Sequence, residues 1–239
     1  MGTQIMNYGI EIGTCFEELN ITHPEIILSI HKSYVDAGAN IIETNTFGAT
    51  QLKLKGYNLA HKFREINYAG VQIAKKSAGG KAFIAASMGP LGELMEPMGA
   101  FSFDDAYNEF AAQAKIFEEA GADLISIETM SDLQEARAAV IAIKQNTKLP
   151  VIVHLTYDES GLTNTGTTPE VACVVFSALG VDAIGANCSS GPKDLLDVAK
   201  RLVKFSSVPV SIMPNAGNPE IINDETVYDL LKERVDDFE

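Results

Sequence analysis

The chain has 239 residues, 46% hydrophobic and 21% charged, and its 18 basic and 32 acidic residues leave a formal charge of −14. That is too apolar for a disordered chain, and a negative excess with no basic cluster excludes a nucleic-acid partner. No window holds the ~18 uninterrupted apolar residues of a membrane helix, since even the run from Val171 to Leu179 stops at Gly180 and Asp182. The first Lys or Arg is Lys32, so no secretory leader and no membrane partner are expected. Three cysteines, Cys15, Cys173 and Cys188, make no disulfide framework and fit a cytoplasmic protein.

In chain order, the spacing predicts a helix over Pro24–Ala37 with Thr22 near its cap, then a strand through Ile41-Ile42-Glu43-Thr44. A second strand is expected within Lys81–Met88, after a helical segment. Helix Phe103–Ala120 leads to a third strand, Leu124–Thr129. A fourth is expected within Pro150–Tyr157. Helix Pro169–Leu179, with Thr168 near its cap, precedes a fifth strand, Ala183–Cys188, and helix Lys193–Lys204 precedes a sixth in Val208–Met213. Three of the joints share one phrase: Ala37-Gly38-Ala39-Asn40, Ala120-Gly121-Ala122-Asp123 and Leu179-Gly180-Val181-Asp182. Each reads as a helix ending on a left-handed glycine, a short turn and a buried strand. No hairpin is expected, and the last residues are expected to lie in a helix leading to a further strand.

Six strands alternating with helices mean a parallel sheet, either doubly wound or closed as a (β/α)8 barrel. No GxGxxG follows the first strand and no GxxxxGK[ST] occurs, which removes the usual doubly wound signature. Polar residues gather where the strands end, as at a barrel mouth: Glu43-Thr44-Asn45-Thr46, Ser87, Glu128-Thr129, Tyr157-Asp158, Asn187-Cys188 and Pro214-Asn215. The expectation is therefore a single (β/α)8 domain over residues 1–239, incomplete by two strands. Cys188, at a strand end beside Asn187, could be a nucleophile, a metal ligand or a small buried residue. Glu128 is the first polar group out of a buried strand and is read as functional, binding a cation or moving a proton. Glu43 is read as pointing elsewhere, with Thr44 and Asn45 competing for the site. His154 lies mid-strand and reads slightly more often as a core histidine than as a catalyst. No lysine ends a strand, which disfavours Schiff-base chemistry.

These motifs together resemble the homocysteine-binding domain of the homocysteine S-methyltransferase family. Met1-Gly2-Thr3 resembles the end of its DGAMGT opening, and Ile42-Glu43-Thr44-Asn45-Thr46-Phe47-Gly48-Ala49-Thr50 its IETNTFGAT stretch. Met88-Gly89-Pro90, Ile127-Glu128-Thr129 with Asp132 and Glu135-Ala136, Gly185-Ala186-Asn187-Cys188 with Gly191-Pro192, and Pro214-Asn215-Ala216-Gly217 follow in the family's order. The resemblance implies a TIM-type barrel with zinc at its mouth, held by three cysteines. Cys188 would be one, and the other two belong to a GGCC motif absent from this sequence. Neither Cys15 nor Cys173 is placed to replace them.

It further implies that the first and eighth strands lie outside the chain, that Glu128 engages the amino-acid part of homocysteine, and that Asn215 lies near the metal. Thr44 and Asn45 would line the pocket. The implied reaction activates the homocysteine thiol on zinc and gives methionine, with methylcobalamin on another domain or protein as one possible methyl donor. With one of three zinc ligands, the chain alone is expected to be inactive. Two other readings remain open: a metal-independent barrel lyase or pterin-type transferase using Glu128 and His154, and a non-catalytic amino-acid-binding module.

Overall fold

A computed structural model describes every residue except 12, 189–190, 216–218, 223–224 and 229–239, with the backbone alone for residues 194, 219–222 and 225–228. The elements in order are α1 (Gly2–Met6), α2 (Leu19–Thr22), α3 (Pro24–Asp36), β1 (Ile41–Glu43), α4 (Gln51–Gly56) and α5 (Phe63–Ala78). They continue with β2 (Phe83–Met88), α6 (Phe103–Ala120), β3 (Leu124–Met130), α7 (Leu133–Asn146) and β4 (Val151–Leu155). The last are α8 (Pro169–Ala178), β5 (Ala183–Asn187), α9 (Pro192–Phe205), β6 (Val210–Met213), β7 (Pro219–Ile222) and β8 (Glu225–Tyr228). Strands β1 to β6 lie side by side in chain order in one parallel sheet. This is the alternation of a (β/α)8 barrel carrying six of its strands, at the positions read from the sequence.

The local chemistry explains the joints. Gly38, Gly121 and Gly180 have φ of 94°, 80° and 72°, a region that a side chain makes costly, so each helix stops there and the chain turns into a strand. Ser102 starts α6 by accepting from the Asp105 backbone N–H at 3.1 Å, and Thr168 starts α8 by accepting from Val171 at 3.4 Å. Thr22 does not cap α3. It closes α2, and its hydroxyl donates back to the Glu18 carbonyl at 3.1 Å, leaving His23 as the residue before Pro24.

The sequence reading missed the antiparallel pair β7–β8, in which Ile222 faces Glu225. Ile221-Ile222 and Thr226-Val227-Tyr228 are strand-forming residue types and carry the signal for this pair. The rest of the expected terminal helix falls in residues 229–239, outside the described residues.

The chain divides into two compact units, Met1–Glu128 with Gln134–Ile152, and Thr129–Leu133 with Val153–Glu239. In the first, Ile5, Leu19, Ile27, Ile30 and Ile73 form one apolar cluster, and Cys15, Ala49, Leu54, Leu59 and Ile66 another. In the second, Cys173, Phe176, Ile184 and Leu202 are fully buried. Each fully buried Ile, Leu or Phe side chain stabilises its unit by about 1.5–3 kcal/mol through removal from water.

Candidate active site

In the first unit, strand register decides which polar side chains meet. Glu43 on β1 is level with Ala85 on β2, and Ser87 on β2 is level with Ser126 on β3. Because side chains alternate, Glu43, Ser87, Ser126 and Glu128 share one face of the sheet. The Ser126 hydroxyl donates to Glu43 at 3.0 Å, and the Ser87 hydroxyl donates to Glu128 in a short hydrogen bond. Neither carboxylate has a Lys, Arg or His ion pair among the described residues. Burial, then repulsion from Glu43, pushes Glu128 up to about 8; burial likewise raises Glu43. Two carboxyl groups so placed readily retain a proton near neutrality, and a cation arriving between them would release it.

Glu43 is the residue that the sequence reading misassigned. The signal was present: Glu43 stands five residues after Gly38 and Glu128 seven after Gly121, an even difference that puts both on one face. The short β1 hides this, since only Ile41–Glu43 is strand before the chain leaves the sheet.

Thr44 and Asn45 are buried and tied to protein groups. The Thr44 hydroxyl accepts from the Ser87 N–H at 3.0 Å and bonds the Thr46 hydroxyl at 2.6 Å, while Thr46 donates to the Ser87 carbonyl at 2.7 Å. Asn45 donates to the Phe16 carbonyl at 2.7 Å and to the Asn20 side chain at 3.1 Å. Asn20 answers by donating to the Asn45 and Ile66 carbonyls at 2.8 and 3.1 Å. Gly70 is required beside this knot, because a Cβ there would stand 2.6 Å from Thr46 and 2.8 Å from Asn20. The stretch after β1 is therefore a scaffold holding Ser87, and through it Glu128, in place. Glu135 serves the neighbouring loop by accepting from the Leu91 N–H.

In the second unit, the end of β5 is held by unusual backbone. Cys188 has φ of 57° and Thr129 of 62°, left-handed values that cost a non-glycine residue about 1–2 kcal/mol. Asn187 locks the arrangement: its side chain accepts from the Thr129 N–H at 2.9 Å and donates to the Thr129 hydroxyl at 3.0 Å. That hydroxyl lies 3.5 Å from the Cys188 sulfur, and the Cys188 N–H donates to the Met213 carbonyl at 3.1 Å. Such strain persists where the surroundings over-determine it, and here it presents a half-buried thiol. Asn215 is half-buried and follows β6 by two residues. His154 is buried on β4 with Nε2 2.9 Å from the Ser211 hydroxyl, as expected of a core histidine.

Cys15 is packed in the core and pushed up to about 11 by burial and by Glu17, and Cys173 is fully buried with its sulfur 3.8 Å from the Leu202 carbonyl. Among the described residues, no group of three or more His, Cys, Asp or Glu side chains is placed to hold a metal ion. Those residues supply one candidate thiolate, Cys188, and do not by themselves fit a zinc centre. Among them, too, no helix is long and apolar enough to cross a membrane.

The model of the family described as homocysteine S-methyltransferase matches residues 1–239. The chain belongs to the homocysteine S-methyltransferase family. It is 33% identical over 236 residues to a methionine synthase of Mycobacterium leprae, covering 92% of this chain and 20% of that protein. A methionine synthase of Mycobacterium tuberculosis is 33% identical over 255 residues, covering 98% and 21%. The chain thus spans about a fifth of the length of these curated relatives. Among solved structures, the metallated homocysteine methyltransferase MmuM of Escherichia coli superposes with a TM-score of 0.82 at 20% identity, over 91% of this chain and 82% of that one. Its apo form gives 0.75 at 21% identity, over 91% and 80%. At that identity the likeness supports the barrel fold alone.

Proposed function

We propose that residues 1–239 form a single homocysteine-binding barrel domain whose role is to present the substrate thiol for methyl transfer to give methionine. The observation that carries this reading is the paired Glu43 and Glu128 carboxylates, which have hydroxyl donors and, among the described residues, no Lys, Arg or His ion pair, the N-terminal ammonium lowering both only weakly against burial. An α-ammonium group is the cation such a pair accepts, and Glu128 is the residue proposed to bind it, with Thr44 and Asn45 supporting the pocket wall. Cys188, held at the end of β5, is proposed as a thiolate ligand of the zinc that would activate homocysteine, with Asn215 near it. A thiol of pKa ~8.5 is only a few per cent ionised at neutral pH, and zinc bound to thiolates supplies the chemistry that ionises it. The described residues supply only Cys188 toward such a centre.

The methyl donor is proposed to come from another domain or protein. The methionine synthase relatives favour a cobalamin-bearing partner, and the free cysteines favour the cytoplasm. Calorimetry tests the reading. Homocysteine should bind, and Glu128→Gln should weaken it about tenfold or more through loss of a charged hydrogen bond. Zinc retained on a version extended at both ends to carry the family's GGCC motif should fall with Cys188→Ala. Undiminished homocysteine affinity in Glu128→Gln would overturn the assignment of Glu128, and undiminished zinc in Cys188→Ala that of Cys188.

A further inference from the structure

A cavity of about 530 Å³ opens in the first unit, and neither Glu43 nor Glu128 lines it. Its wall carries one cation, Lys53, and one carboxylate, Glu17. Lys53 rises from α4 and rests its ammonium 5.1 Å from the centroid of the Phe47 ring. Among the described residues that ammonium makes no hydrogen bond and no ion pair; burial works against its charge, and Glu17 and then Glu135 support it from beyond ion-pair distance. Glu17 is fixed in place: it accepts from the Gly48 N–H at 2.7 Å, and from the Cys15 thiol at 3.5 Å. Gly48 is needed for that approach, because a Cβ there would lie 2.7 Å from the Glu17 oxygen. The remaining wall includes Met6, Phe16 and Tyr57.

An ammonium has donors only, so in the cavity its acceptors must come from water or from a ligand. Glu17 and Lys53 do not close on each other, so opposite charges flank the opening with space between them. We propose that this cavity binds the zwitterionic head of an α-amino acid, its carboxylate on Lys53 and its ammonium on Glu17, with an apolar side chain against Met6, Phe16 and Tyr57. A simple anion would face Glu17, and a simple amine would face Lys53. Only a ligand bearing both charges satisfies both walls. The site is separate from the one built around Glu128 and does not depend on it.

The test is calorimetric titration of the chain with L-phenylalanine, phenethylamine and hydrocinnamate. L-phenylalanine should bind saturably, and the two analogues, each lacking one charge, about tenfold or more weakly. Lys53→Gln and Glu17→Gln should each weaken L-phenylalanine to a similar degree, and the glutamine at 17 keeps an acceptor for the Gly48 N–H. Glu128→Gln should leave this binding unchanged. No saturation at millimolar L-phenylalanine overturns the proposal, as does equal binding of hydrocinnamate or full affinity in Lys53→Gln. Loss of binding in Glu128→Gln overturns it too, by moving the ligand to the other site. Lys53 is half-exposed on its helix, so a melting curve matching wild type will confirm that its variant tests binding and not folding.

Discussion

The carboxylate group of the first unit and the thiol group of the second are built on opposite plans. Glu43, Ser87, Ser126 and Glu128 sit on ordinary strand backbone, and their stored cost is electrostatic: two acids face one another with hydroxyl donors and, among the described residues, no Lys, Arg or His ion pair. Thr129, Asn187 and Cys188 carry their cost in the backbone, with two residues at positive φ held by one asparagine. The first plan leaves a group whose protonation answers to pH and to a cationic ligand. The second fixes where one sulfur sits. A site can thus be prepared by charge or by geometry, and each leaves a different experimental signature.

The largest expected effect breaks the geometric plan. At Gly185 on β5, a Cβ would lie 1.8 Å from the Ser211 carbonyl oxygen and 2.7 Å from His154. Gly185→Ala should destabilise the chain by about 3 kcal/mol or more, read as a lower urea midpoint. On the carboxylate side the signature is pH. Glu128 is raised in the folded state, so the folded chain holds a proton that the unfolded chain releases from about pH 4.5. Stability should fall as pH rises from there to about 8 and level off beyond. Urea midpoints across that range should show the slope, and Glu128→Gln should reduce it, since the raised carboxyl is removed while burial still raises Glu43. A slope unchanged in that variant would refute the electrostatic plan.

A smaller loss is expected from the scaffold behind the carboxylates. Asn20→Ala strips donors from the Asn45 and Ile66 carbonyls and should cost about 2–3 kcal/mol in chemical denaturation. Smallest is a comparison of two variants that both lack the thiol. Cys188→Gly should be more stable than Cys188→Ala by about 1 kcal/mol, because only glycine adopts φ of 57° without strain. Equal stabilities would mean that the second site is not held by backbone geometry.

Much of this molecule was legible in order along the chain. The glycine joints, the six strands and the Thr168 cap come from spacing that acts over a few residues, and they fell where expected. The β7–β8 pair and the idle cap at Thr22 did not, because each depends on which of two local arrangements the rest of the chain favours. Glu128 and Cys188 stood out as polar residues ending apolar strands. Glu43 was lost because its partners are brought together by register, and register is a property of two strands, not one. Lys53 and Glu17 carried no sequence signal at all: a lysine on a helix and a glutamate before one are ordinary until a cavity separates them.

By itself the sequence determined the alternation of helix and strand, the short turns between them, and the order of motifs that marks the family. Those rest on backbone preferences and on periodic burial, which are local. The tertiary structure alone decided that two glutamates share a buried face, that Thr129 and Cys188 are held left-handed by Asn187, and that Thr44 and Asn45 turn inward. Each follows from contacts between residues far apart in sequence, where burial strengthens electrostatic interactions and neighbouring chains supply the partners.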